Sequence, residues 1–125
     1  IIESEDELLV NKRESKGIWQ NLYDFPLVET TKSTSKKLLV KDESFIKLLN
    51  NMEFKVRATS EERKHTLSHQ ILFAKFYHLS IDSNLSQIEG NFERIKKINL
   101  IEKPIPKLIE NYLKEETNLL SLLRA

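Results

Sequence analysis

The sequence predicts an α+β sandwich, and three observations predict it. Residues 71–79 are apolar on both sides, with Ile71, Phe73 and Tyr77 on one and Leu72, Ala74 and Phe76 on the other, as suits a central strand covered on two faces. Phe45, Leu48, Leu49 and Met52 fall instead at i, i+3, i+4 and i+7, the stripe of a helix with one buried face. Near the carboxyl end Ile105, Leu108, Ile109, Tyr112 and Leu113 make a second such stripe, so the chain runs strands, helix, strands and closing helix.

At the amino end, Glu5 and Asp6 can turn the chain from Ile1 and Ile2 back into the apolar run of residues 7–13, a hairpin whose first strand is expected to be truncated. A start on two β-branched residues, without Met or a basic leader, reads as a chain cut from something longer. Residues 16–26 follow, holding the single Trp, one of two Gly and one of three Pro. Ile18, Trp19, Leu22, Tyr23 and Phe25 fit neither a helical nor an alternating period there, so an irregular, buried connection is expected, with Trp19, Tyr23 and Phe25 in the core. Gly17 can supply a positive φ, and Pro26 disfavours the α region at Phe25.

Residues 27–28 continue as a strand, and residues 29–37 read as a polar Thr/Ser/Lys loop. The first striped helix then starts at Asp42, with Asp42 or Ser44 as N-cap. Phe54, Val56 and Ala58 alternate with Lys55, Arg57 and Thr59 as a half-buried strand, and Ser60, Glu61 and Glu62 turn the chain into residues 63–67. After the central run come a polar turn at 82–87, a strand within 92–98 and a helical turn near 99–102. Pro104 and Pro106 then punctuate the entry to the closing helix, whose stripe is expected to continue through Leu119, Leu120, Leu122 and Leu123.

The chain has 125 residues, 39% apolar and 31% charged, which suits one globular domain over 1–125 with a real core. No apolar run approaches the ~20 residues of a membrane span, so no membrane partner is expected. Cysteine is absent, which removes disulfides, thiolate metal sites and Cys nucleophiles, and suits an intracellular, cytoplasmic setting. A net charge of +1 does not by itself argue for nucleic acid, but the charge is uneven. Lys32, Lys36, Lys37 and Lys41 have no acid among them, and Arg94, Lys96, Lys97, Lys103 and Lys107 meet only Glu102; both groups read first as solvated faces.

For a metal site, His65 and His69 are the local pair, but in a strand and its turn four residues extend about 13 Å, too far to share an ion. With only Gly17 and Gly90 no glycine-rich phosphate loop or nucleophile elbow can form. The adjacent acids Asp6 and Glu7, Glu61 and Glu62, and Glu115 and Glu116 suit solvated turns and helix surfaces, so neither a catalytic nor a metal-binding residue is expected.

Three blocks carry a resemblance. Arg13 with Lys16-Gly17-Ile18-Trp19-Gln20-Asn21-Leu22-Tyr23-Asp24-Phe25-Pro26, then His65-Thr66-Leu67-Ser68-His69, then Pro104-Ile105-Pro106-Lys107-Leu108-Ile109 closely resemble, in that order, the C-terminal domain of MutY-type A/G-specific adenine DNA glycosylases. The resemblance implies a Nudix-like (MutT-like) α/β/α sandwich with a mixed sheet that serves base-excision repair by recognising 8-oxoguanine paired with adenine. In the family a separate N-terminal domain flips out the adenine and hydrolyses its glycosidic bond, and that domain carries the catalytic acids and a 4Fe–4S cluster held by four cysteines. This chain has no Cys, so the cluster and the chemistry are expected in the parent polypeptide outside it. The implied partners are duplex DNA with an 8-oxoguanine:adenine pair or a G:A mismatch and the catalytic domain of the same polypeptide.

The resemblance also implies site residues. The family's Phe-Ser-His loop, which inserts at the lesion, matches Leu67, Ser68 and His69. Leu67 keeps an apolar wedge but loses aromatic stacking, worth about 1–3 kcal/mol per base. The Ser68 hydroxyl both donates and accepts, which suits an oxidised guanine whose N7 has become a donor and whose C8 carries a carbonyl. Lys36 and Lys37, with Lys32 and Lys41, are expected as phosphate contacts, which position without reading sequence.

Two other readings stand beside this one. In a protein-interaction module of the same architecture the sandwich would dock a partner such as a replication clamp, and the lysine loops would never meet DNA. A Nudix diphosphate hydrolase would instead bind Mg²⁺ through a helix carrying Arg-Glu-x-x-Glu-Glu. No Arg lies between Glu14 and Val56, and the first helix offers only Asp42 and Glu43 before Ile46, Lys47 and Leu48, so that motif is missing.

Overall fold

The computed structural model describes residues 1–30, 35–88 and 90–115. Its strands are β1 (Ile2–Ser4), β2 (Glu7–Lys12), β3 (Tyr23–Asp24), β4 (Lys55–Thr59), β5 (Arg63–Thr66), β6 (Ile71–Ala74), β7 (Tyr77–Ser80) and β8 (Glu93–Lys96). Its helices are α1 (Lys36–Leu39), α2 (Glu43–Leu49) and α3 (Lys107–Lys114), with 3-10 turns at Leu85–Gln87 and Lys97–Glu102. The main sheet runs β3-β2-β1-β7-β4, and β8 pairs with β2 as well. It is mixed, because β1 runs parallel to β7 and antiparallel to β2.

The middle strand in this order is β1, and beside it β2 pairs with β1, β3 and β8. Leu8, Leu9 and Val10 are all buried because layers cover both faces. Leu8 and Val10 meet Phe25, Leu100, Ile109, Tyr112 and Leu113 on the α3 side, and Leu9 meets Leu39, Phe45, Leu49, Leu79 and Ile81 on the α1 and α2 side. These two layers on one sheet make the α/β/α sandwich.

Residues 71–79 do not form one central strand. The run breaks at Lys75 and Phe76, where the Phe76 N–H donates to Ser60 Oγ (2.7 Å) and the Ser60 N–H donates to the Phe76 carbonyl (2.8 Å). Beyond the break β7 stays inside the sheet, while β6 pairs only with β5, His65 opposite Leu72, as a separate two-stranded arm. Ile71 and Phe73 are therefore exposed rather than covered.

The helix stripes are realised. Asp42 accepts from the Phe45 N–H (3.1 Å) and caps α2, which buries Phe45 and Leu49 and ends at Asn50 in the left-handed region. In α3 the stripe buries Leu108, Ile109, Tyr112 and Leu113. Lys32 and the continuation through Leu119, Leu120, Leu122 and Leu123 lie outside the described residues.

Other expectations need correction. Residues 36 and 37, read as the end of a loop, open the short helix α1, because Ser35 caps it and Leu39 reaches the core. The alternation in β4 stops at a bulge between Val56 and Ala58, which leaves Ala58 exposed. In the 16–26 connection Asn21 and not Gly17 takes the positive φ (68°). Phe25 and Tyr23 join the core, but Trp19 joins neither core cluster and lies half-buried with the Arg13 guanidinium 5.6 Å from its ring centroid. Lys97, read as part of a solvated basic face, is buried, with its ammonium on Glu3 Oε2. Its backbone N–H, bonded to the Asp6 carbonyl (2.8 Å), holds it beside β1.

Candidate nucleic-acid interface

The arm formed by β5 and β6 places the matched triplet at its tip. Thr66 pairs with Ile71, and the Leu67 N–H donates to the Gln70 carbonyl (2.8 Å), which closes the turn over residues 67–70. Leu67 is half-buried, whereas Ser68 and His69 are exposed. Their backbone N–H groups, the Ser68 hydroxyl and the His69 imidazole have no partner among the described residues, so the tip presents donors and acceptors outward. His65 lies back in β5, across from Leu72, so the two histidines are separated by the end of the strand and part of the turn.

The base of the arm is held firmly. Phe76 stacks on Tyr112 of α3, ring centroids 4.0 Å apart and planes 6° from parallel. Arg63 sits over the same Tyr112 ring at 5.1 Å and pairs with the Glu115 carboxylate. That guanidinium, bonded to the exposed carboxylate, holds the Glu115 carboxyl below its ordinary value of 4.5. Burial is the main cause that raises the Tyr112 hydroxyl above its ordinary value of 10.0, keeping it neutral under Arg63. Tyr23, Phe25 and Phe76 share one core cluster with Tyr112, and the Tyr23 N–H donates to the Pro104 carbonyl (2.7 Å). The three resembling blocks are thus one assembly: the 16–26 connection and the Pro104 segment build the core on which the arm stands.

Lys36 and Lys37 lie elsewhere. Both are exposed on α1, whose Leu39 packs in the layer opposite α3, and no hydrogen bond or ion pair joins them to Leu67, Ser68 or His69. They form a second cationic edge rather than part of the tip.

An open cleft of about 290 Å³ lies between Asn11, Arg13, Asp24, Phe25, Leu27, Asn91 and Phe92. Its polar wall is internally satisfied, because Arg13 Nε and Asn11 Nδ2 donate to the two oxygens of buried Asp24, at 2.8 and 3.2 Å. Among the described residues no three His, Cys, Asp or Glu side chains gather in a way that could hold a metal ion. On α2 the carboxylate of Asp42 is spent on the cap and Glu43 stands beside Ile46 and Lys47, so the described residues do not fit a Mg²⁺ site of the diphosphate-hydrolase kind.

Sequence reasoning missed the buried trio of Glu3, His78 and Lys97, whose members come from three distant segments. Glu3 Oε2 lies 3.2 Å from His78 Nε2 and in contact with Lys97 Nζ. Burial pushes the Glu3 carboxyl up, but His78 and Lys97 outweigh it and leave the group below its ordinary value of 4.5. Sequence reasoning also missed the exposure of Phe73, which Lys64 faces across the hairpin as Thr66 faces Ile71.

No helix among the described residues is long and apolar enough to cross a membrane. No curated protein matches the sequence. A family model described as a NUDIX domain matches residues 1–115, which take in both layers of the sandwich, the sheet and the arm. The mixed sheet between helical layers and that match lead to one conclusion: the chain belongs to the NUDIX domain family.

Proposed function

We propose that this chain is the DNA-lesion recognition domain of an A/G-specific adenine glycosylase acting in base-excision repair. It reads 8-oxoguanine opposite adenine, while a catalytic domain of the same polypeptide, outside this chain, removes the adenine. The observation that carries the reading is the tip of the arm, where Ser68 and His69 present polar groups that have no partner among the described residues, on a projection whose base is clamped by Tyr112 and Arg63. A rigidly mounted hydroxyl beside two free backbone N–H groups can accept from the N7–H of the oxidised base and donate to its C8 carbonyl, a pairing that plain guanine, whose N7 only accepts, does not offer. Leu67 packs apolarly beside it, and Lys36 and Lys37 supply phosphate contacts away from the lesion. The iron–sulfur cluster belongs, in this reading, to the rest of the polypeptide, and a replication clamp docked on the sandwich belongs to the interaction-module reading.

The chain alone should bind DNA weakly, because the domain that flips the adenine completes the clamp. A salt titration of binding to an 8-oxoguanine:adenine duplex tests this: log K should fall with log salt by about 0.9 per phosphate contact. Binding to a protein partner that hardly responds to salt, with no binding to DNA, would favour the interaction-module reading. Turnover of 8-oxo-dGTP with Mg²⁺ at an enzymatic rate would contradict the proposal outright.

A further inference from the structure

We propose that the outward face of the arm is a second DNA-contact surface, on which Phe73 packs against an unstacked base next to the lesion while Lys64 meets the backbone. The inference rests on the DNA reading above and extends it from the tip to the flank of the arm.

Cross-strand register defines the face. Thr66 is opposite Ile71 and Lys64 is opposite Phe73, so these four side chains share one side of the ribbon, while Arg63, His65, Leu72 and Ala74 share the other. The inner four are half-buried and the outer four are exposed. Phe73 is 63% exposed and Ile71 is 48% exposed, although both belong to a strand. Neither joins either core cluster, so neither contributes materially to the fold. An exposed aromatic ring with no packing role on a narrow two-stranded ribbon is a surface prepared for a ligand.

Charge and shape favour nucleic acid as that ligand. From residue 63 to residue 75 the arm carries Arg63, Lys64, His65, His69 and Lys75 and no Asp or Glu, although the chain as a whole is nearly neutral. Lys64, exposed directly across from Phe73, brings a cation beside the ring, the combination by which aromatic residues hold bases while lysines hold the phosphates. A strand of four residues is about 13 Å long, and a two-stranded ribbon of this width enters the major groove of B-DNA. The same ribbon ends in Ser68 and His69, so a duplex that meets the tip lies alongside this face. Apolar side chains inserted beside a base step unstack it, and the step at a mismatch opens most readily.

The test uses the chain with an 8-oxoguanine:adenine duplex carrying 2-aminopurine next to the lesion, reading affinity by anisotropy and unstacking by 2-aminopurine fluorescence. Phe73→Ala should weaken binding about fivefold or more and remove the fluorescence rise. Phe73→Tyr should keep both, whereas Phe73→Leu should lose most of them. Lys64→Ala should keep the fluorescence rise and reduce the salt slope by about 0.9. Because Phe73 is exposed, thermal unfolding of each variant should match the parent.

If the parent chain binds the duplex with its salt slope and Phe73→Ala binds and unstacks equally well, this inference fails and the tip reading stands. A parent chain that binds no DNA at low salt overturns both. A concentration-dependent dimer that Phe73→Ala abolishes, with DNA binding unchanged, would assign the face to a second copy of the chain and overturn the inference.

Discussion

The centre of the sheet and the arm are built from the same kinds of residue and put them to opposite uses. Along β2 every apolar side chain is buried, and even the charged groups nearby, Glu3 and Lys97, are enclosed with His78. Along β6 apolar Ile71 and Phe73 stand in solvent, and the polar groups of the tip have no partners among the described residues. Burial at the centre makes each side chain answerable to stability. Exposure on the arm leaves its side chains answerable to something outside the fold. Substitutions should therefore divide cleanly: those at the centre change unfolding, and those at the tip change binding with unfolding intact.

The largest effect is expected where the two regions meet. Tyr112→Ala removes a buried ring from the α3 layer together with the platform under Phe76 and Arg63, and should cost about 4 kcal/mol in denaturant unfolding. It should also speed amide exchange in β5 and β6 relative to β2, since the arm loses its mount. Slightly smaller, about 3 kcal/mol, is the expected cost of Lys97→Met, which leaves the Glu3 carboxylate buried beside His78 without its ammonium partner.

The same trio gives a pH dependence with a definite sign. The Glu3 carboxyl is lowered in the fold, so it contributes stability above its ordinary value of 4.5 and loses that contribution as pH falls through the lower folded value. Stability against denaturant measured from pH 7 down to pH 3 (about the range of carboxylate titration) should fall at the acid end, and less steeply in Glu3→Gln.

Smaller still, Asp42→Ala should cost about 1 kcal/mol through loss of the α2 cap, with DNA binding unchanged. The smallest stability effect, within about 0.5 kcal/mol, belongs to Ser68→Ala at the exposed tip. In the intact polypeptide that variant should nonetheless lower the preference for 8-oxoguanine:adenine over G:A. A large loss of stability in Ser68→Ala would blur the division between centre and arm.

The sequence made the helices legible because a one-faced stripe with a cap is a local signal: Asp42 with Phe45 and Leu49 could be read directly. Strands buried on both faces lack a period, so residues 71–79 looked like the middle of the sheet, whereas β1 holds that place with the fully buried β2 run beside it. What separates the two runs is Ser60, whose hydroxyl and N–H grip Phe76 and end β6, a long-range contact with no local mark. Trp19 stayed out of the core for a similar reason, its ring being claimed by Arg13. The tip was placed correctly in a turn between strands, but its projection from the sheet and its anchorage on Tyr112 depend on tertiary packing. Glu3, His78 and Lys97 were invisible as a group, because β1, β7 and the turn after β8 bring them together only in the fold.

The central claim is that the arm, and its tip first, is the surface that meets damaged DNA. Backbone amide shifts of the chain, followed while an 8-oxoguanine:adenine duplex is added at low salt, test it most directly, since weak binding still moves resonances. The account predicts the largest shifts at Leu67, Ser68, His69 and Gln70, smaller ones along β6 and at α1, and none at Leu8, Leu9 and Val10. Shifts confined to the exposed apolar side of α1 and α2, around Leu38 and Ile46, or no shifts at all, would contradict it.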